Sequence, residues 1–128
     1  MSDMNRDNNR AVWFDIPVSN LTRAKEFYAG VLGIRVDIES FGDIQFAVLE
    51  HENGNGGCLV ISPEQISSEG GVLLYLNVHG RIRSAVDQVK QLGGQIVEEI
   101  HSIGPHGFRA IILDSEGNRL ALHSEWDQ

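Results

Sequence analysis

The sequence has little cysteine, few basic residues and no long apolar run, and each shortage excludes a class of protein. Its one cysteine, Cys58, cannot form a disulfide within the chain, which fits a reducing cytoplasm. Ten Lys and Arg against 18 Asp and Glu give a net charge of -8, which argues against nucleic acid or an anionic membrane surface as a partner. No apolar stretch approaches the roughly 20 residues that a membrane-spanning helix needs. We therefore expect a soluble cytoplasmic protein.

The length of 128 residues fits one domain, or two half-sized modules that share a core. Residues 1–10, MSDMNRDNNR, are polar and lack the apolar centre of a signal peptide, so they are predicted to be a disordered leader. The remaining segment, residues 11–124, is predicted to be a single domain.

The order of predicted elements within 11–124 occurs twice. Module one, residues 11–62, is predicted as a strand, a helix that begins after Asn20 and ends at Gly33, and three strands. A linker at 63–71 leads to module two, residues 72–124, which has the same plan and a helix that stops at Gly93-Gly94. This repeated order indicates an internal duplication, and the alternative is a chance similarity between the two halves.

The register of the two modules favours duplication over chance. Leu32-Gly33 matches Leu92-Gly93 at an offset of 60 residues, and Gly54-Asn55 matches Gly117-Asn118 at an offset of 63. The difference of three residues falls in the middle loops, where insertions cost little. Each such module leaves one sheet face uncovered, so the two are expected to need each other.

Two segments carry a resemblance to a known family. Trp13 to Asn20, followed by Ala24, Phe27-Tyr28 and Val31-Leu32-Gly33, resembles the opening module of the glyoxalase/bleomycin-resistance/dioxygenase (vicinal oxygen chelate) superfamily. Gly107-Phe108-Arg109 with Asp114, Gly117-Asn118 and Leu120 resembles its closing signature. The resemblance implies an α+β fold of two tandem βαβββ modules, with a curled mixed sheet around a cleft and the helices outside. It also implies a homodimer, in some members with modules exchanged between chains.

The same resemblance implies where metal ligands would stand. Metal-dependent members place His, Gln or Glu on the first and last strands of each module. The corresponding residues of this chain are Trp13, Cys58, Leu73 and Ala121. Because Cys58 alone cannot hold a catalytic ion, we predict no metal and no other cofactor. A divalent metal remains the alternative, since a one-residue slip of a strand would change which side chains face the cleft.

Strand alternation predicts the side chains that face the cleft. The predicted ligand-binding residues are Trp13, Phe46, Tyr75, Asn77, Arg109 and Ile111. Arg109 is an inward cation suited to a carboxylate or phosphate, although an ion pair with Asp15 that staples the sheet is equally compatible. Trp13 and Tyr75 could stack on a flat ligand or belong to the core.

Two residues are candidates for catalysis. His123 lies two residues after Ala121 and is predicted to face the same cleft, where it could act as an acid or base together with Asp15. A hydrogen-bonded wall residue is the alternative. His101 and His106 flank a loop and could clamp a metal together, but loop histidines are more often solvated.

Three functions from different classes are compatible with these residues. The first is a binding protein that holds a small anionic or aromatic molecule in a metal-free cleft. The second is a glyoxalase-type lyase, isomerase or dioxygenase with a non-standard site. A third is a subunit that has lost its site and keeps the dimeric scaffold. The missing ligands favour the first and third.

Overall fold

The computed structural model describes residues 9–128, so most of the predicted leader at 1–10 lies outside the described residues. The elements of module one are β1 (Asp15–Val18), α1 (Leu21–Leu32), β2 (Val36–Phe41), β3 (Ile44–Leu49) and β4 (Cys58–Ile61). Those of module two are β5 (Tyr75–Asn77), α2 (Ile82–Gln91), β6 (Gln95–Ser102), β7 (Phe108–Leu113) and β8 (Arg119–Ser124). Short 3-10 helices occur at Pro63–Gln65 and Gly104–His106. The α+β fold with two βαβββ modules is confirmed.

The two sheets have the same topology. The strand orders are β1-β4-β3-β2 and β5-β8-β7-β6. The first strand of each module pairs in parallel with the last, and the other pairs are antiparallel. Each module thus forms a four-stranded mixed sheet of its own, and the identical strand order is the structural counterpart of the sequence repeat.

Both first strands are shorter than their apolar patterns suggest. The sequence predicts strands from Ala11 and Val72, whereas β1 begins at Asp15 and β5 at Tyr75. In module one the reason is that β4 begins only at Cys58, which is the register partner of Asp15. Residues 50–57 are irregular, so they do not continue the ladder that would extend β1.

Local sequence explains the limits of α1. The Asn20 side chain accepts a hydrogen bond from the Arg23 N–H at 2.9 Å, which caps the first turn. Gly33 adopts a left-handed conformation with φ 65° and donates to the Ala29 carbonyl at 3.0 Å, which ends the helix. Within residues 9–128, no helix is both long and apolar enough to cross a membrane.

A single core joins the two modules. The helices contact each other, and each covers one face of its own sheet. Fully buried side chains include Phe27 and Tyr28 from α1, Ile82 from α2, and Leu59 and Leu122 from the two sheets. The opposite face of each sheet, here called its open face, carries the side chains that alternate with this core.

The turn after β7 fastens module two to module one. Asp114 is 2% exposed, and its carboxylate accepts hydrogen bonds from the Tyr28 hydroxyl at 2.5 Å and from Asn118 Nδ2 at 2.9 Å. Asn118 Nδ2 also donates to the Pro17 carbonyl at 2.7 Å. Burial, reinforced by the Asp114 charge, raises the pKa of Tyr28 well above its ordinary value, so its hydroxyl remains a donor. These contacts give a physical reason for the closing signature.

Candidate functional site

A row of polar residues crosses the open face of the second sheet. Asn77 on β5 pairs in register with His123 on β8, and His123 pairs with Arg109 on β7. Arg109 in turn pairs with His101 on β6. Register partners in a sheet have side chains on the same face, so all four strands contribute a polar group to one level. We call Asn77, His123, Arg109 and His101 the polar row.

The equivalent row of the first sheet is mostly apolar. Val60 on β4 pairs with Pro17 on β1 and with Phe46 on β3, and Phe46 pairs with Glu39 on β2. The two modules share a backbone plan, yet only module two has this set of hydrogen-bonding groups at that level. Because the first sheet forms the same strand order with apolar side chains, the polar side chains of the second sheet are not needed for folding. They indicate a functional site on that sheet.

Three members of the polar row, Asn77, His123 and Arg109, line a cavity of about 580 Å³. The cavity is lined by Tyr75, Leu76, Asn77, Ile103, His106, Arg109 and His123. Its residues come from three strands, from Ile103 and from the 3-10 turn at Gly104–His106 that follows it. We call this space the module-two cavity. Its size and its mixture of apolar and convergent polar groups are typical of small-molecule sites.

Arg109 is held in the module-two cavity by neutral groups. Its Nη1 donates to the Tyr75 hydroxyl at 2.5 Å, and its Nε donates to His101 Nε2 at 3.1 Å. No ion pair joins Arg109 to another residue of the described chain. Asp15, its alternative partner, instead accepts from the Cys58 thiol at 3.2 Å and from Trp13 Nε1 at 3.3 Å. The guanidinium charge therefore faces the cavity without a carboxylate bound to it.

The hydrogen bonds of the two site histidines assign their tautomers. His101 Nε2 accepts from Arg109, so its proton is on Nδ1, which lies 2.8 Å from the Glu99 carbonyl. His123 Nε2 lies 2.7 Å from the His106 carbonyl oxygen. A carbonyl oxygen can accept a hydrogen bond but cannot donate one, so His123 Nε2 carries a proton. In neutral His123 the lone pair is then on Nδ1.

The structure brings together four of the predicted site residues, namely Tyr75, Asn77, Arg109 and His123. Trp13 lines a second cavity of about 530 Å³, with its ring 6.3 Å from that of His51, and Tyr75 and Asn77 border both cavities. Asp15 lines a third cavity of about 150 Å³. The structure therefore does not bring Asp15 to His123, its predicted catalytic partner.

The other two predicted ligand-binding residues line none of these three cavities. Phe46 is half-buried on the open face of the first sheet, and Ile111 is almost completely buried on the second. The alternation of side chains predicted the correct sheet face for both residues. It gives no information on how far other parts of the protein cover that face.

Two contributors to the site were not predicted from the sequence. His106 enters the cavity wall because the 3-10 turn at Gly104–His106 folds back against β8. His101 reaches Arg109 because register shifts interrupt β6 on either side of Glu98. Simple alternation along β6 fails across such irregularities. The spacing of His101 and His106 around a Gly-Pro turn was the one available signal.

The four expected metal-ligand positions do not form a metal site. Cys58 and Ala121 are buried, and burial, followed by the hydrogen bond to Asp15, raises the pKa of the Cys58 thiol to about 11. Among residues 9–128, no three His, Cys, Asp or Glu side chains are grouped so that they could hold an ion. The residues present do not fit the family's metal, and the absence of a cofactor stays a prediction.

Comparison with known proteins identifies the family. The model of the glyoxalase/bleomycin resistance protein/dioxygenase superfamily matches residues 10–122. A family enzyme from Burkholderia phytofirmans PsJN is 18% identical over 88% of this chain and 95% of its own, with a TM-score of 0.69. The fosfomycin resistance protein FosX from Listeria monocytogenes is 10% identical over 92% and 94%, also with a TM-score of 0.69.

A glyoxalase/bleomycin resistance protein from Albidiferax ferrireducens T118 is 18% identical over 88% of this chain and 95% of its own, again with a TM-score of 0.69. No curated protein sequence matches the chain. At these identities the solved structures support the fold alone, whereas the family model covers most of the sequence. The chain belongs to the glyoxalase/bleomycin resistance protein/dioxygenase superfamily.

Proposed function

We propose that this chain is a cytoplasmic protein that binds a small, oxygen-rich anion, a carboxylate above all, in the module-two cavity without a metal. The observation that carries the proposal is the guanidinium of Arg109, which faces the cavity, donates to Tyr75 and His101, and forms no ion pair within residues 9–128. A partly buried charge without a counter-charge is costly, and an anionic ligand removes that cost.

The hydrogen-bonding groups around the cavity favour the same class of ligand. Two N–H groups of Arg109 donate to other groups within residues 9–128, and its other N–H groups form no hydrogen bond with that part of the chain. Asn77 Oδ1 accepts from the His79 N–H at 2.8 Å, which leaves the Asn77 amide nitrogen as a donor. His101 Nε2 and the His106 carbonyl are already occupied as acceptors. Because the wall offers mainly donors, its ligand must supply acceptors.

The rest of the cavity suits an apolar body attached to that anion. Ile103 and Leu76 contribute apolar lining, and the Tyr75 side chain is 45% exposed. The Tyr75 ring stands edge-on to His123, with 6.4 Å between the ring centroids. A ligand that places its carboxylate at Arg109 would cover this ring surface with its hydrocarbon part.

A thermal-shift screen tests the proposal directly. The panel contains 2-oxo, 2-hydroxy and aromatic carboxylates, each with the amide of the same skeleton as its control. We expect some carboxylates to raise the melting temperature in a concentration-dependent way and their amides to have little effect, because ligands that bind only the folded state stabilise it. Absence of stabilisation by every anion would contradict the proposal and favour a scaffold that has lost its site.

We also propose that a second copy of this chain covers the open face of the first sheet. Phe41 and Ile44 are 78% and 63% exposed and pair at the end of the β2–β3 hairpin. Phe46 continues this apolar strip, and its register partner is the exposed acid Glu39. An exposed apolar strip of this kind is typical of a surface that binds another protein chain.

Sedimentation or light scattering of the purified protein tests this interface. We expect a particle of twice the 14.2 kDa chain mass. The Phe41→Ser/Ile44→Ser variant should shift it toward the monomer, because two exposed apolar side chains leave the contact. Ile38→Ser is the control, since Ile38 lies on the same strand but faces the helix side. A wild-type protein that is monomeric at all concentrations would contradict the proposal.

A further inference from the structure

We infer that the chain has a second ligand site, for a small amino acid in its zwitterionic form, in the cavity of about 150 Å³ that Asp15 lines. Its wall is contributed by β1, by residues 65–74 between the modules and by residues 118–120 at the start of β8. We call it the junction cavity. It shares no lining residue with the module-two cavity, so the inference does not rest on the proposed function.

Two opposite charges lie on the wall of the junction cavity without pairing with each other. The Arg119 side chain lines it and forms no ion pair or hydrogen bond within residues 9–128. Asp15 Oδ1 accepts from the neutral groups of Cys58 and Trp13, and Asp15 Oδ2 accepts nothing from that part of the chain. A ligand that carries both signs of charge can therefore pair with each of them.

Asn118 contributes a buried acceptor to the same wall. It is 8% exposed, and its Nδ2 donates to the Pro17 carbonyl at 2.7 Å and to Asp114 at 2.9 Å. These two bonds orient the amide, and the remaining atom, Oδ1, accepts no hydrogen bond within residues 9–128. Because an unpaired buried acceptor is costly, a ligand ammonium group, which has three N–H donors, would stabilise it as well as Asp15.

Ser67 supplies a neutral donor close to Arg119. The Ser67 carbonyl accepts from the Arg119 backbone N–H at 3.2 Å, which brings the two residues together. The Ser67 hydroxyl oxygen accepts from the N–H groups of Glu69 and Gly70 at 3.3 and 3.0 Å, so its own proton is left to donate. The wall of the junction cavity thus offers donors for a carboxylate and acceptors for an ammonium group.

Size and charge together select a small zwitterion. The volume of about 150 Å³ is well below the roughly 300–1,000 Å³ of sites for drug-sized molecules, so the ligand has only a few non-hydrogen atoms. A carboxylate alone would face Asp15, and an amine alone would face Arg119. A zwitterion pairs both charges and brings no net charge into the cavity. The plain carboxylates proposed for the module-two cavity are therefore not expected to bind here.

Titrations followed by proton–nitrogen correlation NMR of the isotope-labelled protein test the inference. The probes are glycine, β-alanine and 4-aminobutyrate in the millimolar range, which place the ammonium and carboxylate groups one carbon further apart at each step. We expect saturable shifts of the backbone amide signals of Ser67, Gly70 and Asn118, largest for the probe whose length matches the distance between the two charges. Propanoate and β-alanine amide each lack one charge and should cause no saturable shift there.

Charge variants separate a binding site from two unrelated surface charges. Asp15→Asn and Arg119→Gln should each weaken binding of the best probe by about tenfold or more, because each removes one charge-assisted contact. Asp15→Asn keeps an acceptor for Cys58 and Trp13, so its fold should be preserved. It should also lose the preference for β-alanine over propanoate, since the repulsion of a plain carboxylate is gone. A purely structural role of Asp15 would not change that preference.

The matched controls are Asp43→Asn and Lys90→Gln, which remove exposed charges that do not line the junction cavity. Both should bind the best probe like the wild type. The inference is overturned if no probe causes saturable shifts, if propanoate binds as tightly as β-alanine, or if Asp15→Asn and Arg119→Gln bind normally. Shifts confined to Asn77, Arg109 and their neighbours would overturn it in favour of the module-two cavity and leave the proposed function intact.

Discussion

Arg109→Gln is expected to weaken the binding of a stabilising carboxylate by about 100-fold or more, as measured by isothermal titration calorimetry. Loss of one member of a desolvated charge pair costs about 2–5 kcal/mol, and about 2.7 kcal/mol corresponds to 100-fold. Arg109 is half-buried in the cavity wall, so solvent screens a bound anion only in part. Gln retains a donor but removes the charge and the planar fork that binds both carboxylate oxygens.

The control variants separate charge, geometry and folding. Arg109→Lys keeps the charge without the fork and should lose less affinity than Arg109→Gln. Arg119→Gln makes the same charge change on the same sheet outside the module-two cavity and should bind normally. Equal affinity of Arg109→Gln and wild type would contradict the proposed site. Unfolding of both Arg109→Gln and Arg109→Lys would show that the guanidinium acts as a structural staple.

Glu116→Gln is expected to lower the free energy of unfolding at pH 7 by about 2 kcal/mol, as measured by urea denaturation, since hydrogen bonds to a charged group contribute about 1.5–3 kcal/mol. The Glu116 side chain is 0% exposed and forms an ion pair with Arg23 at 2.7 Å. Its Oε1 also accepts from the backbone N–H groups of Ser19 and Asn20 at 3.0 and 2.9 Å. Gln would place an amide nitrogen against the donors of Arg23 or against those of the backbone.

The same carboxylate makes stability depend on acid pH. Burial alone would raise the pKa of Glu116, but the hydrogen bonds from Arg23, Asn20, Ser115 and Ser19 outweigh it and lower the pKa from 4.5 to about 2. Because the folded pKa is depressed, the contribution is complete above pH 4.5 and is lost as the pH falls toward 2. We expect the stability difference between wild type and Glu116→Gln to shrink over that interval.

The control for Glu116 is another acid on the contacting helix. Glu26 is exposed on α1, and Glu26→Gln makes the same charge change without breaking a contact between the modules. It should leave both the stability at pH 7 and its acid dependence close to those of the wild type, because exposed charges contribute little. A stability difference for Glu116→Gln that stays constant between pH 5 and pH 2 would contradict the assigned role of the carboxylate.

The parts of the site that could be predicted from the sequence are those that follow from local rules. Strand alternation puts Tyr75 and Asn77 on one face of β5 and Arg109 on the same face of β7, and the cavity contains all three. His123 follows from its spacing to Ala121. The hydrophobic pattern and the caps of α1 similarly predicted the helix from Leu21 and its end at Gly33.

The parts that were missed depend on irregular backbone or on contacts between modules. The place of His101 in the polar row results from register shifts in β6, which no periodic pattern encodes. The separation of Asp15 from His123 results from the packing of one sheet beside the other, and the alternation rule treats each strand alone. Glu116 joins the turn after β7 to the start of α1. No hydrophobic pattern in the sequence predicts this contact, because Glu116 is a charged residue in a turn.

The sequence by itself determined the duplicated βαβββ plan, the family and the residue types at the four expected metal positions, because these depend on residue type, order and spacing. The tertiary structure decided which polar residues meet. Tyr75, Asn77, Arg109 and His123 share a cavity that contains neither Trp13 nor Asp15. It also decided the hydrogen bonds of Arg109 to Tyr75 and His101 and that of His123 to the His106 carbonyl, which depend on how strands and turns pack together.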